Sequence, residues 1–144
     1  MKFWHFGILT HDVDETIDFL CAPGGEERGK WKVFDAVFPA EDMVTGEGGK
    51  LRIAIGRVGG IFYELIQPLD DTSYHAGQIK ARGAGFNHCA YYCEDGFDET
   101  VAGLIAAGGR IVWEAKHGDE HPCYIESNGT VLEIINVYPF FPED

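Results

Sequence analysis

Basic residues are scarce in this chain: 11 lysines and arginines stand against 24 aspartates and glutamates, for a formal net charge of −13. Such a surface repels nucleic acid and anionic lipid at long range, so neither is expected as a partner. Long apolar runs are lacking too. None approaches the roughly 18 residues needed to cross a bilayer, and Met1 and Lys2 lead straight into FWHFGIL without the pattern of a signal peptide, so the expected location is the cytoplasm. Of the four cysteines, Cys21, Cys89, Cys93 and Cys123, none falls in a zinc or CxxC spacing, and reduced structural thiols are expected. No glycine-rich phosphate loop is present: the glycine pairs at 24–25, 48–49, 59–60 and 108–109 read as turns.

What is present is a repeated order of elements. Lys2–Leu9 alternates as a strand, and Val13, Ile17 and Leu20 then fall at helical spacing. Asp12 or Asp14 can cap that helix, and Pro23-Gly24-Gly25 ends it. After the polar stretch Glu26 to Lys30, the strands WKVFDAVF, LRIAIG and GIFYELIQ follow. Between the first two, Pro39 to Gly49 reads as a mobile acidic loop able to close over a site. Residues 69–84 read as a linker holding a short helix near Ala76 to Ala81, begun by Ser73. The order then restarts: GFNHCAYYC is a strand, Phe97 to Ala107 a helix, and RIVWEA, HPCYIES and TVLEIINV are strands, with Asn128-Gly129 a hairpin signal. An Asp-Glu-Thr tripeptide opens both helices, at 14–16 and 98–100.

Two βαβββ modules are therefore expected, module 1 over 1–68 and module 2 over 85–138, joined by the linker 69–84 and followed by a short tail, 139–144, within a single domain. One helix covers one face of each module's sheet and leaves the other face to close a cleft. The fold class is α+β, with paired modules forming a curved mixed sheet around a central metal-binding cleft.

Four residues recur at matching places in the two modules: His5 and His88 in the opening strands, Glu64 and Glu133 in the closing ones. Side chains two apart share a strand face, so Glu64 points with Phe62 and Ile66, and Glu133 with Val131 and Ile135. His5 is placed with Phe3 and Gly7, and His88 with Phe86, Ala90 and Tyr92. A carboxylate among apolar neighbours is costly unless paired or coordinated. Two nitrogens and two carboxylates suit one divalent ion: Zn, Ni, Co, Mn or Fe.

The motifs resemble those of the vicinal oxygen chelate superfamily of glyoxalases, bleomycin resistance proteins and dioxygenases, over nearly the whole chain. They are His5-Phe6-Gly7-Ile8, the YELIQP strand with Glu64, Gly85-Phe86-Asn87-His88 and Gly129-Thr130-Val131-Leu132-Glu133. The stretch from Glu64 to His88 is most similar to the methylmalonyl-CoA epimerase-like branch, with Asn87 departing from a paired histidine; at the place of Glu64 epimerases of the group tend to carry glutamine and glyoxalases glutamate or histidine. The resemblance implies a metal held by His5, Glu64, His88 and Glu133. It also implies an epimerase or isomerase that removes a proton beside a carbonyl through a metal-stabilised enolate. The alternatives are a glyoxalase-like lyase on a hydroxyketone or hemithioacetal, and a non-catalytic binding or resistance protein. Glu64 and Glu133 are the candidate bases, with Tyr92 and His121 as further catalytic candidates among several tyrosines, histidines and Glu126. A small-molecule substrate and a homodimer are the expected partners.

Overall fold

The computed structural model of the protein describes residues 1–23 and 28–137. Nine strands form one sheet: β1 (Lys2–Leu9), β2 (Lys32–Val37), β3 (Met43–Thr45), β4 (Lys50–Val58), β5 (Ile61–Pro68), β6 (Gly85–Tyr92), β7 (Arg110–Ala115), β8 (Cys123–Ser127) and β9 (Thr130–Ile135). Across the sheet their order is β2-β4-β5-β1-β6-β9-β8-β7-β3. The sheet is mixed, because β1 runs parallel to β5 and β6 parallel to β9, whereas β1 and β6 meet antiparallel at its centre. Two βαβββ modules therefore lie side by side, each beginning at the central seam.

Helix α1 (Val13–Cys21) starts where Asp12, in extended conformation, accepts a hydrogen bond from the Glu15 N–H at 3.0 Å. Asp14 and Glu15 in its first turn complement the helix dipole. Its buried residues, Val13 and Ile17, pack with Trp31, Ala54 and Leu65 on the convex face. Helix α3 (Phe97–Ala106) does the same for the second module through Phe97, Val101 and Leu104 over Cys93, Ile125 and Ile134. Linker helix α2 (Tyr74–Arg82) is capped by Ser73, as expected, and runs longer than 76–81. The Asn128-Gly129 turn has positive φ at both residues (53° and 81°), the geometry a two-residue hairpin requires. The expected helix terminator Gly24-Gly25 and the tail 139–144 lie outside the described residues, as does the last residue of the second module range.

Three expectations are corrected. The acidic stretch 39–49 is not loop throughout: a 3-10 turn, Ala40–Asp42, leads into β3, which pairs with β7 at the far end of the sheet. Because β3 lies between β2 and β4 in sequence, the chain links the sheet's two ends, and the sheet must curl into a cup. Lys116 N–H to Asp42 O (2.8 Å) and Tyr74 N–H to Glu47 O (3.0 Å) fasten this strap. Its three-residue strand is too short to show a period, and its partner is about 70 residues away in sequence.

Phe3 does not share the His5 face, nor Phe86 the His88 face. The register of β1 with β6 shifts between Phe3 and His5, and again between His88 and Phe86. Each shift is a β-bulge that turns the side chains on its two sides to different faces. Both phenylalanines pack near Phe6 instead, at 5.1 and 6.0 Å between rings. The strand expected from His121 begins at Cys123, because residues 117–120 fold into a tight turn closed by two backbone hydrogen bonds.

Candidate metal centre

The register stacks the site in two short rows across the sheet. In one, Ile55 of β4, Glu64 of β5, Gly7 of β1 and His88 of β6 are successive neighbours. In the other, His5 of β1, Ala90 of β6, Glu133 of β9 and Tyr124 of β8 are. A small residue, Gly7 or Ala90, separates histidine from carboxylate in each row, so the large side chains close over it. At Gly7 this is a strict requirement: a Cβ there would stand 2.1 Å from His88 Cε1. The glycine of His5-Phe6-Gly7 is thus the floor on which the opposite module's imidazole rests.

One ligand atom from each of His5, Glu64, His88 and Glu133 lies within 4.8 Å of the others. His5 Nε2 is 3.4 Å from Glu64 Oε1 and 3.4 Å from His88 Nε2, and His88 Nε2 is 3.1 Å from Glu133 Oε2. All four residues are buried, both histidines fully. Bond lengths of about 2.0–2.2 Å to one ion would put ligand atoms roughly 3–4.4 Å apart, and the pair distances of 3.1–3.7 Å lie in that range.

The donor chemistry fits as well. Asn87 Oδ1 sits 3.0 Å from His88 Nδ1. Because an amide oxygen only accepts, Nδ1 carries the proton and Nε2 presents a lone pair to the centre. Two buried imidazole nitrogens face each other among two carboxylates, an arrangement that a cation resolves. The four side chains make one site for a single divalent ion.

The charges around the site act on one another. Burial would lower the His5 imidazole, but the adjacent Glu64 carboxylate, with Glu133 behind it, outweighs this and raises it above 6.5. Burial would raise the Glu64 carboxyl, yet His5, then His88 and His75, hold it below the usual carboxylate range. Burial, with Glu133 and Glu64 close by, pushes the Tyr124 hydroxyl well above 10, so it stays protonated opposite Glu133. His75 is pushed down to about 3 by burial and by His88, against the pull of Glu64, and is neutral at ordinary pH.

Above the centre opens a cavity of about 480 Å³. Its walls are mostly apolar, among them Trp4, Leu51, Ile53, Ile66, Trp113 and Ile135, and Lys32 and Glu120 are exposed parts of its lining. Glu64, Glu133, His75 and Tyr124 supply further polar groups to the same lining. Sequence reading missed His75 and Tyr124. His75 lies in the linker helix and carries no periodic signal, but Tyr124 sits two residues before Glu126 on a recognisable strand, where β-hairpin register could have set it opposite Glu133.

Tyr92 is buried on the His88 face of β6 but does not line the cavity. His121 does not line it either: its Nε2 is 2.5 Å from Glu114 Oε2, and its ring packs 4.5 Å from Phe97 of α3. His117 pairs with Asp42 of the strap, and Glu126 with Arg110, both away from the centre.

The family model described as the glyoxalase/bleomycin resistance protein/dioxygenase superfamily matches residues 4–125. No curated protein matches the chain. Among solved structures, hypothetical protein BH1468 from Bacillus halodurans C-125 is similar at a TM-score of 0.66 and 18% identity, covering 99% of this chain and 98% of that one. Methylmalonyl-CoA epimerase from Mycobacterium tuberculosis is similar at 0.64 and 20%, covering 96% and 89%. A Streptomyces coelicolor methylmalonyl-CoA epimerase variant in complex with 2-nitronate-propionyl-CoA is similar at 0.60 and 21%, covering 94% and 96%. At these identities the likeness is one of fold.

Proposed function

The chain belongs to the glyoxalase/bleomycin resistance protein/dioxygenase superfamily, and we propose that it is a divalent-metal-dependent epimerase or isomerase acting on a carbon acid beside a carbonyl. The observation that carries this reading is the buried set of His5, Glu64, His88 and Glu133 beneath an otherwise largely apolar cavity. A sequestering protein needs the cavity but not four converging ligands.

When bound, a divalent ion supplies Lewis acidity, stabilising charge that develops on a substrate carbonyl oxygen. The protein's own groups supply the remainder. Trp4, Leu51, Ile53 and Ile66 exclude water from the reacting carbon, which strengthens every charge interaction there. We assign proton transfer to the carboxylates of Glu64 and Glu133. They come from opposite modules, which suits removal of a proton from one face of a carbon and its return to either.

The substrate class is a small molecule with an acidic C–H next to a thioester, ketone or carboxyl group. The neighbouring folds that include methylmalonyl-CoA epimerases make a thioester one member of that class. Lys32, the basic residue of the cavity lining, would favour an anionic substituent. A homodimer, a cytoplasmic setting and the two-module division at 1–68 and 85–138 belong to the same reading. No helix among the described residues is long and apolar enough to cross a membrane.

The test is elemental analysis of the purified chain beside His5→Ala and Glu133→Ala, followed by solvent deuterium exchange into candidate carbon acids. Near one metal equivalent per chain, lost in both variants, with metal-dependent exchange into at least one thioester or hydroxyketone, is the expected result. A wild-type chain that takes up none of Zn, Ni, Co, Mn or Fe would overturn it.

A further inference from the structure

Directly across the β8–β9 ladder from Glu133 stands Tyr124, and across the pseudo-equivalent β4–β5 ladder from Glu64 stands Ile55. The same place in the two modules is thus polar in one and apolar in the other. Tyr124 is 2% exposed and buried beside the Glu133 carboxylate, which helps to hold its hydroxyl protonated. The same hydroxyl is 3.0 Å from Nε2 of His75, a residue of α2 that is 1% exposed and packed edge-on against Trp113 and Tyr124.

The directions of these hydrogen bonds follow from their chemistry. An ionised carboxylate only accepts, so a Tyr124 hydroxyl turned toward Glu133 is the donor. The Tyr124 oxygen then accepts from His75, so His75 carries its proton on Nε2. His75 Nδ1 is left as a buried lone pair with no hydrogen-bond partner among the described residues. A purely structural contact could have been apolar, as Ile55 is, without burying a hydroxyl and an imidazole.

We propose that Tyr124 and His75 are positioning residues that hold the Glu133 carboxylate in its orientation toward the metal. The inference rests on the metal-site reading above. His75 fixes the rotor of the Tyr124 hydroxyl, and the hydroxyl fixes the carboxylate. Among the described residues, Glu64 has its ion pairs only with His5 and His88, which are themselves metal ligands. The two carboxylates are therefore unequal: Glu133 is anchored from outside the centre, and Glu64 is held from within it.

The experiment titrates Co(II) into metal-free protein against a competing chelator, following the visible d–d spectrum, with thermal melting of each metal-free variant. Tyr124→Phe keeps the ring and removes the hydroxyl. Loss of such an outer partner typically costs about 10–100-fold in metal affinity. We expect that loss together with a shifted spectrum, and a melting temperature close to that of the wild type. His75→Leu should act in the same direction, and His75→Gln, which restores an N–H donor, should recover part of the affinity. Should Tyr124→Phe not fold, the His75 pair decides the question. Wild-type Co(II) affinity and spectrum in Tyr124→Phe, or in His75→Leu, would overturn the positioning role while leaving the metal site standing. A wild-type chain that binds no Co(II) would instead remove the metal-site reading, and this inference with it.

Discussion

The opening strands of the two modules share one frame, FWHFG at 3–7 and FNHCA at 86–90, yet they treat their histidines differently. Each histidine is flanked by a bulge, at Trp4 in the first strand and Asn87 in the second. Trp4 becomes cavity wall, and His5 Nδ1 has no hydrogen-bond partner among the described residues. Asn87 instead fixes the His88 tautomer. The difference repeats at the carboxylates, where Ile55 faces Glu64 and Tyr124 faces Glu133. Duplicated backbone geometry delivers four equivalent ligand positions, and substitutions next to them buttress the second module alone. Symmetry sets where the donors are, and local chemistry sets how firmly each is held.

The largest effect comes from removing the symmetric part. His5→Ala and His88→Ala should each reduce bound metal to background by elemental analysis, since each module contributes one imidazole to one ion. Retention of a full equivalent in either variant would break the pairing of the modules.

Acid should break the second module's buttress. His75 has its pKa lowered to about 3 from 6.5, so the unfolded chain binds this proton more readily than the folded one. Its contribution is intact above pH 6.5 and is lost as pH falls toward 3, on the order of 5 kcal/mol at the limit. Denaturant unfolding of metal-free protein should show this slope, and His75→Phe should flatten it. An equal slope in both proteins would exclude His75 as its source.

Next comes the pair of small residues. Gly7→Ala places a Cβ 2.1 Å from His88 Cε1, so the ring must move. Displacement of a ligand by about 1 Å is enough to weaken a site strongly, and a loss of about 100-fold in Co(II) affinity is expected. Ala90→Gly, at the matching place, should change affinity by no more than a few-fold. Equal effects at the two positions would show that the modules are alike where the structure makes them differ.

The smallest effect is at the bulges. Asn87→Ala frees the His88 tautomer and should cost about 10-fold in metal affinity, whereas Trp4→Phe should leave metal affinity nearly unchanged and alter the cavity. Isothermal titration of both variants checks this, and equal losses would remove the distinction between them.

Much of this was legible in the chain. Strand alternation placed Glu64 and Glu133 on faces with Ile66, Val131 and Ile135, and the restart of elements at Gly85 exposed the duplication. Period-2 reasoning failed at Phe3 and Phe86, because a bulge adds one residue to one strand and shifts parity without a local sign. The stretch 39–49 was misread because its glycines and acids are those of a loop, while its order comes from β7 and from backbone partners far away in sequence.

The sequence by itself determined the ligand types, their strands and the pairing of the modules, because each is written within a window of a few residues. Only the tertiary structure decided that β3 closes the cup, that Gly7 lies under His88, and that His75 of the linker helix reaches Tyr124. Those contacts join residues 49 to 81 positions apart, and they depend on sheet register and curvature, which short-range periodicity does not encode.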